Sequence, residues 1–174
     1  MSTAIARTDE PSGLLRSSLL GLAVLGSASG LVELATLRHW NSTEQLVPWI
    51  VLIVVAALAV AVWSKASPAL LRLARLVAIG AVASSMFGMF EHIKENYDTA
   101  PLDRHYGPLW NSMSSLSKVW HAATGSVGPS PLLAPGLLAQ AGLCLALATV
   151  AHPAFRQGDT LDPAMLLGAP SGCE

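Results

Sequence analysis

Two long stretches of the chain contain no charged residue, and they limit what it can fold into. They cover residues 47–63 and 131–151. Each approaches the roughly 20 residues that an α-helix needs to cross a hydrocarbon core of about 30 Å. Charged residues make up only 12% of the whole sequence, against about 25% in soluble domains. The sequence therefore predicts an all-α integral membrane protein.

Two further apolar segments raise the predicted number of transmembrane helices to four. The predicted spans cover residues 14–37, 45–63, 69–90 and 132–151. The third carries Arg72 and Arg75 in its first turns, where long side chains can reach the interface, and it can continue as helix to Tyr97. We expect a four-helix transmembrane bundle over residues 14–153, with disordered tails at residues 1–13 and 154–174. In the first span, small residues at 26–30 behind an apolar run also fit a cleavable signal peptide.

The distribution of lysine and arginine favours one orientation. Six of the ten fall on the side of the bundle that holds both termini, namely Arg7, Arg16, Lys65, Arg72, Arg75 and Arg156. The other four are Arg38, Lys94, Arg104 and Lys118. Basic residues accumulate on the cytoplasmic side of a membrane. We therefore expect a multi-pass protein of a bacterial inner membrane, with both termini in the cytoplasm and the long third connection outside.

That long connection carries a helical pattern of its own. Leu109, Met113, Leu116 and Trp120 recur at spacings of four, three and four residues, so they share one helical face. A tryptophan near each end of the stretch suits the depth of the membrane interface. We expect an amphipathic interfacial helix over residues 108–122, which lies on the outer membrane surface or caps the bundle. A partly ordered loop is the alternative.

Small residues recur every four positions on two of the predicted spans. Gly26 and Gly30 form such a pair on the first span, and Gly80, Ser84 and Gly88 form a series on the third. Residues of this kind let helix backbones approach closely within a membrane. We expect these five residues to pack helices together. If the first span packs against the third through these faces, polar residues beyond them would meet at similar depth.

Each series of small residues ends in a glutamate. At 100° per residue, Glu33 and Glu91 lie on or near the small faces of the first and third spans. Because alternating spans make these two helices parallel, both carboxylates are expected near the same outer end. Burying an ionisable residue at membrane depth is costly, which makes a functional site the default hypothesis. A structural pair with Arg38 or a histidine, and plain solvation at the interface, are the alternatives.

Other polar residues map to the same outer end, namely His39, His92, Asn96 and Gln140. Together with the two glutamates they predict an outward-facing pocket that binds a proton, a cation or a small polar ligand. Metal binding would draw on Glu33, Glu91, His92 and Met89, since thioether and imidazole groups are copper ligands. The sequence indicates no particular cofactor.

No catalytic motif identifies a reaction. The sequence contains no Gly-x-Ser-x-Gly, no His-Glu-x-x-His and no phosphate-binding glycine loop. The first hypothesis is therefore the binding pocket, in transport or in sensing. The second is an accessory or scaffold subunit whose small-residue faces bind other membrane proteins or a second copy. A third is a membrane enzyme acting on lipid or quinone. A net charge of −1 gives no basic surface for nucleic acid, so the lipid bilayer is the expected environment.

Overall fold

The computed structural model describes residues 9–131 and 134–157, and this part of the chain is helical with no strand. The helices are α1 (Asp9–Thr36), α2 (Thr43–Ser64), α3 (Pro68–Thr99), α4 (Gly107–Trp110), α5 (Ser115–Ala123), α6 (Ala134–Ala148) and α7 (Pro153–Gln157). A 3₁₀ turn at Ala100–Leu102 follows α3. The predicted disordered tails cover residues 1–13 and 154–174. Residues 9–13 instead belong to α1 and residues 154–157 to α7, and the rest of both tails lies outside the described residues.

Three helices are long and apolar enough to cross a membrane. The apolar segments are Ser12–Thr36, Thr43–Ser64 and Pro68–Leu102. The all-helical prediction is confirmed at this level, and these three helices are compatible with spans. The fourth predicted span corresponds to α6, which has 15 residues and a length of about 22 Å at 1.5 Å per residue. It therefore falls short of a full crossing within the described residues.

The helix boundaries follow local capping chemistry. The Ser42 hydroxyl accepts a hydrogen bond from Gln45 N (3.4 Å), and the Ser67 hydroxyl accepts one from Leu70 N (3.3 Å). Each serine thus satisfies an N–H group that has no partner within its helix. The predicted extension of the third span is also present, since α3 has 32 residues and measures about 48 Å. This length exceeds the roughly 30 Å of a hydrocarbon core.

α2 and α6 separate α1 from α3. Each of them packs against both α1 and α3, and they contact one another, whereas the described residues show no extended interface between α1 and α3. α6 approaches α3 closely at Gly142. A Cβ at that position would lie 2.9 Å from Ala81 Cβ and 3.1 Å from Ala78 O on α3. The buried core of leucine, valine and alanine therefore runs between four helices, with α1 and α3 at opposite corners.

The small faces of the first and third helices do not meet. A Cβ on Gly26 would lie 3.8 Å from Ala141 Cβ on α6, and one on Gly30 would lie 2.9 Å from Leu52 Cδ1 on α2. A Cβ on Gly88 would lie 3.5 Å from Pro135 Cγ, while a Cβ on Gly80 would meet nothing within 4 Å. Ser84, the remaining member of the predicted packing set, lines a cavity instead. A small-residue pattern identifies a face of a helix but not the neighbour that it contacts.

The connection from α3 to α6 folds into a small cap on the projecting end of α3. Its core consists of Ala100, Trp110, Ala122 and Val127, with Tyr97 of α3 packed against them. The Tyr97 and Trp110 rings meet edge to face, with their centroids 5.3 Å apart. We call residues 100–131 the cap.

A single amphipathic helix over residues 108–122 is not present, because the stretch is divided into α4 and α5. Ser114 adopts an extended backbone (ψ 152°), and its hydroxyl accepts a hydrogen bond from Ser117 N, which begins a new helix. The predicted apolar face is also not the buried one. Trp110 is 4% exposed, whereas Leu116 is 81% and Trp120 66% exposed. The bundle therefore leaves that face uncovered.

The opposite end of the bundle is closed by arginine. Arg75 on α3 donates from Nε to Thr149 Oγ1 (3.0 Å) and from Nη2 to Thr149 O (2.8 Å), and its guanidinium lies 4.5 Å from the centroid of the Phe155 ring. Arg16 on α1 donates to Ala151 O at 2.8 Å. These bonds satisfy carbonyl groups at the C-terminal end of α6 that have no partner within the helix. We call this the arginine end.

Candidate functional site

A cavity of about 610 Å³ opens at the end of the bundle remote from the arginine end. The C-terminal end of α1, the first turns of α2, the outer part of α3 and the start of α6 all contribute to its wall. The chain that returns from the cap, residues 129–131, closes one side. We call these three residues the return segment. The volume of the cavity lies within the range of about 300–1,000 Å³ that is typical of small-molecule sites.

The predicted glutamates and histidines come together in this cavity. Its described lining includes four carboxylates and two imidazoles but no lysine or arginine. These six residues are Glu33, His39, Glu44, Glu91, His92 and Glu95. Since α1 and α3 stand at opposite corners, Glu33 and Glu91 approach the cavity from different sides. The described lining therefore combines acidic groups from three helices with no basic residue to neutralise them.

The end of α1 brings His39 to the cavity. Arg38 adopts a left-handed backbone (φ 51°). His39 N donates to Leu34 O (2.9 Å), and Arg38 N donates to Ala35 O (3.2 Å). This pair of bonds is the Schellman helix end, in which the left-handed position is usually glycine. The chain reverses at Arg38, so His39 lines the same cavity as Glu33, which precedes it by six residues.

The surroundings of His39 favour the neutral form of its imidazole. Partial burial lowers the pKa of its imidazole, and the positive charge that His92 can carry lowers it further. Burial has this sign because it disfavours the charged form of a histidine. The backbone of His39 is fixed against α2, since Trp49 Nε1 donates to the His39 carbonyl oxygen at 2.7 Å. Both effects reduce the positive charge that His39 adds to the cavity.

A hydrogen bond to the return segment sets the tautomer of His92. His92 Nδ1 lies 2.7 Å from Pro131 O. A carbonyl oxygen can only accept, so Nδ1 carries the hydrogen. In the neutral ring Nε2 is then an acceptor. The ring nitrogen that remains for a ligand is therefore one that accepts a hydrogen bond.

The cavity has a polar rim and an apolar floor. The carboxylates lie near helix ends, whereas Leu52 and Leu138 are buried deeper in the bundle. Leu52 follows Glu44 by eight residues and Ser84 precedes Glu91 by seven, which corresponds to about 10–12 Å along the helix axes. A molecule that fills the cavity would therefore meet charge at one end and hydrocarbon at the other.

Asn96 holds the return segment rather than lining the cavity. Its side chain is fully buried. Oδ1 accepts from Ser130 N (2.8 Å), and Nδ2 donates to Ser130 O (3.0 Å) and Ala122 O (3.3 Å). Gly128 has a φ of +80°, and a Cβ there would collide with Asn96. The amide is thus used within the protein to fasten the cap and the return segment to α3.

Two other predicted residues also stand apart from the cavity. Gln140 is exposed on α6, and Met89 is 41% exposed on α3. Neither is part of the described lining. No group of three or more histidine, cysteine, aspartate or glutamate side chains that could hold a metal ion occurs within residues 9–131 and 134–157. The metal hypothesis therefore gains no support from the geometry.

Sequence reasoning missed several parts of this lining. Glu44 and Glu95 had a signal, because Glu44 begins α2 beside the His39 turn and Glu95 lies one helical turn after Glu91. The return segment had none, because its position depends on how the cap folds onto Asn96. No protein-family model, curated protein or solved structure matches this chain. The cavity itself is therefore the basis for a functional proposal.

Proposed function

We propose that this protein binds a small cation in the cavity at the end of a membrane-embedded helix bundle, in the service of transport or of sensing. The observation that carries the proposal is the lining, which has four carboxylates and no lysine or arginine among its described residues. Opposite charge close to a carboxylate favours its ionised form. A bound cation would supply the charge that the protein itself leaves out.

Helix dipoles do not reverse this preference. The N-termini of α2 and α6 face the cavity, and each corresponds to about half a positive charge. The C-terminus of α1 contributes about half a negative charge at the same end. The sum, about half a positive charge, is small beside four carboxylates. Pro48 also has no N–H, so α2 does not supply the usual i+4 donor to the Glu44 carbonyl, which lies beside the cavity.

The size of the cavity favours an organic cation over a bare metal ion. At about 30 Å³ for each water molecule, 610 Å³ corresponds to roughly 20 waters. A metal ion held by protein ligands needs oxygen or nitrogen atoms within about 2.0–2.6 Å, and the described residues contain no three-residue cluster suited to that role. A proton-linked function remains compatible with the same carboxylates.

The membrane placement that accompanies this proposal uses α6 as a fourth span. Support comes from its contacts at both ends, since Pro135 faces Gly88 and Thr149 binds Arg75. Gly88 and Arg75 are 13 residues apart, or about 20 Å along α3, so these contacts extend over about two thirds of a core of roughly 30 Å. The arginine end would face the cytoplasm, with both termini on that side. The cap would then rest at the outer interface, with the exposed Trp120 directed to the lipid.

The scaffold hypothesis has less support. Gly26, Gly30 and Gly88 face neighbours within the chain, so they are not available to a partner helix. Of the predicted glycines, Gly80 alone has nothing within 4 Å of a Cβ. A second copy or another membrane protein could contact that surface, but a single open glycine is a weak interface signal because small residues are common in membrane helices.

Calorimetric titration of the purified protein in a neutral detergent tests the proposal. The panel consists of potassium, magnesium, guanidinium, tetramethylammonium and hexylammonium, with hexanoate as an anion of matched chain length. We expect at least one cation to bind and hexanoate not to bind. The double variant Glu33→Gln/Glu91→Gln should weaken cation binding at least tenfold, because each charge-assisted hydrogen bond contributes about 1.5–3 kcal/mol.

Asp98→Asn provides the matched control, since Asp98 is an exposed carboxylate on α3 outside the described lining. It should bind the cation as the parent does. Circular dichroism and thermal unfolding would establish that all variants are folded. Absence of binding by every cation, or equal binding by the parent and the Glu33/Glu91 double variant, would refute the proposed function.

A further inference from the structure

We infer that the ligand of the cavity is an amphipathic ammonium ion that carries N–H donors, such as a primary alkylamine in its protonated form, and not a quaternary ammonium or a metal ion. This inference rests on the proposed function and specifies the chemical class of its cation. It depends on three features of the lining: the tautomer of His92, the scarcity of aromatic rings and the apolar floor.

The rim presents hydrogen-bond acceptors. Carboxylates accept only, and His92 Nε2 also accepts because the Pro131 carbonyl holds the hydrogen on Nδ1. A primary ammonium has three donors and no acceptor. Its donors match the acceptors that the rim provides, namely the carboxylates and the neutral His92 ring. A quaternary ammonium has the same charge but no hydrogen to donate.

The lining lacks the aromatic cage that recognises quaternary ammonium groups. Such groups are bound by several rings whose faces surround the cation. Phe87 is the one phenylalanine, tyrosine or tryptophan among the described lining residues. Trp40 and Trp49 lie close by and contact one another, with centroids 6.2 Å apart, but neither lines the cavity. Recognition must therefore come from hydrogen bonds and charge.

The floor determines the rest of the ligand. Leu52 and Leu138 are buried beneath the rim, and Leu34, Leu37 and Phe87 add further apolar wall. A carbon chain attached to the ammonium would extend about 10 Å from the rim toward this floor. Each methylene that leaves water should tighten binding up to about fourfold. The gain should stop once the chain reaches the floor.

The decisive experiment compares hexylammonium with trimethylhexylammonium, which have one charge and one chain length in common. Dissociation constants are measured by calorimetry on the full chain in neutral detergent, with empty micelles as the blank. We expect hexylammonium to bind at least tenfold more tightly, which corresponds to one charge-assisted hydrogen bond. The butyl, hexyl and octyl amines give the chain-length series, and the matched alcohols correct for partition into micelles.

Variants of His92 separate recognition from folding. His92→Leu removes the acceptor, so it should reduce the preference for hexylammonium over trimethylhexylammonium about tenfold. His92→Gln keeps one donor for Pro131 and one acceptor for the ligand, so it should retain the preference. His105→Leu is the control, because His105 lies in the cap outside the described lining.

Two results would overturn the inference while leaving cation binding intact. One is a quaternary ion that binds the parent as tightly as the primary amine does. The other is a His92→Leu variant that weakens both ions equally. Absence of binding by any cation would instead refute the proposed function, and the inference with it.

Discussion

Replacement of Asn96 by alanine should loosen the cap without unfolding the bundle. The change removes three hydrogen bonds, one to the Ala122 carbonyl and two to the backbone of Ser130. The Ala122 carbonyl would keep its hydrogen bond from Gly125 N (3.4 Å), so loss of the Asn96 donor should cost about 0.5–1 kcal/mol. The Ser130 groups are partly exposed and water can replace their partner, so each should also cost about 0.5–1 kcal/mol. The total is about 1.5–3 kcal/mol.

Hydrogen exchange followed by mass spectrometry measures this loss by region. At 1.36 kcal/mol per factor of ten, exchange in residues 115–131 should accelerate roughly 10- to 150-fold, because opening free energies of local units set the protection of their amides. The amides of α1 and α6 should change little. Asn111→Ala is the control, since Asn111 is an exposed asparagine of the cap. Unchanged exchange in the cap, or an equal increase throughout the bundle, would refute the role given to Asn96.

Three further outcomes follow from the geometry. Arg38→Gly should raise the free energy of unfolding by about 1 kcal/mol, because glycine avoids the cost of the left-handed backbone; denaturant titration that shows a loss would contradict this. Gly142→Ala should destabilise the bundle by about 1–3 kcal/mol through overpacking against α3, whereas Gly80→Ala, with open space around it, should not lower the melting temperature. The pKa of His39 should be below its ordinary value of 6.5 by NMR titration and should rise in His92→Leu. Since the unfolded state then binds the proton more readily, stability should fall as pH drops below 6.5 and level off below the lowered pKa; a His39 pKa above 6.5 would reverse the sign.

The sequence predicted best what a single helix can specify. The predicted span at residues 45–63 matches α2 (Thr43–Ser64), because an uncharged apolar run fixes its own length. The helical extension of α3 beyond residue 90 was also predicted. Ser42 shows why the start of such a helix can be predicted, since its hydroxyl accepts a hydrogen bond from Gln45 N, only three residues along the chain.

Relations between helices were much less predictable. The faces of Gly26 and Gly30 are real packing faces, but they meet α6 and α2 rather than α3. Periodicity cannot identify a neighbour, because a membrane helix finds its partner by shape rather than by a hydrophobic force. The predicted helix over residues 108–122 is absent for a different reason. The residues from Leu109 to Trp120 do have helical spacing, but the Ser114 hydroxyl accepts a hydrogen bond from Ser117 N and begins a separate helix.

The candidate site was predicted in part. Four of its polar residues were predicted, namely Glu33, His39, Glu91 and His92. Charged and polar residues mark the ends of apolar helices, so the sequence could place these four at one end of the bundle. The floor and the return segment were not predictable, since they depend on the docking of α6 and on the buried amide of Asn96. Asn96 and Gln140 were selected for polarity at the right depth, and the structure brings neither into the cavity.

Carbodiimide modification mapped by mass spectrometry tests most directly whether a cation occupies the cavity. The reagent modifies carboxyl groups, and dimethylhexylammonium serves as the protecting ion because it keeps one N–H and cannot form an amide. We predict that the ion slows modification of Glu33 and Glu91 severalfold and leaves Asp98, outside the described lining, unchanged. Equal rates at Glu33 and Glu91 with and without the ion, or equal protection of Asp98, would contradict a cation site in this cavity.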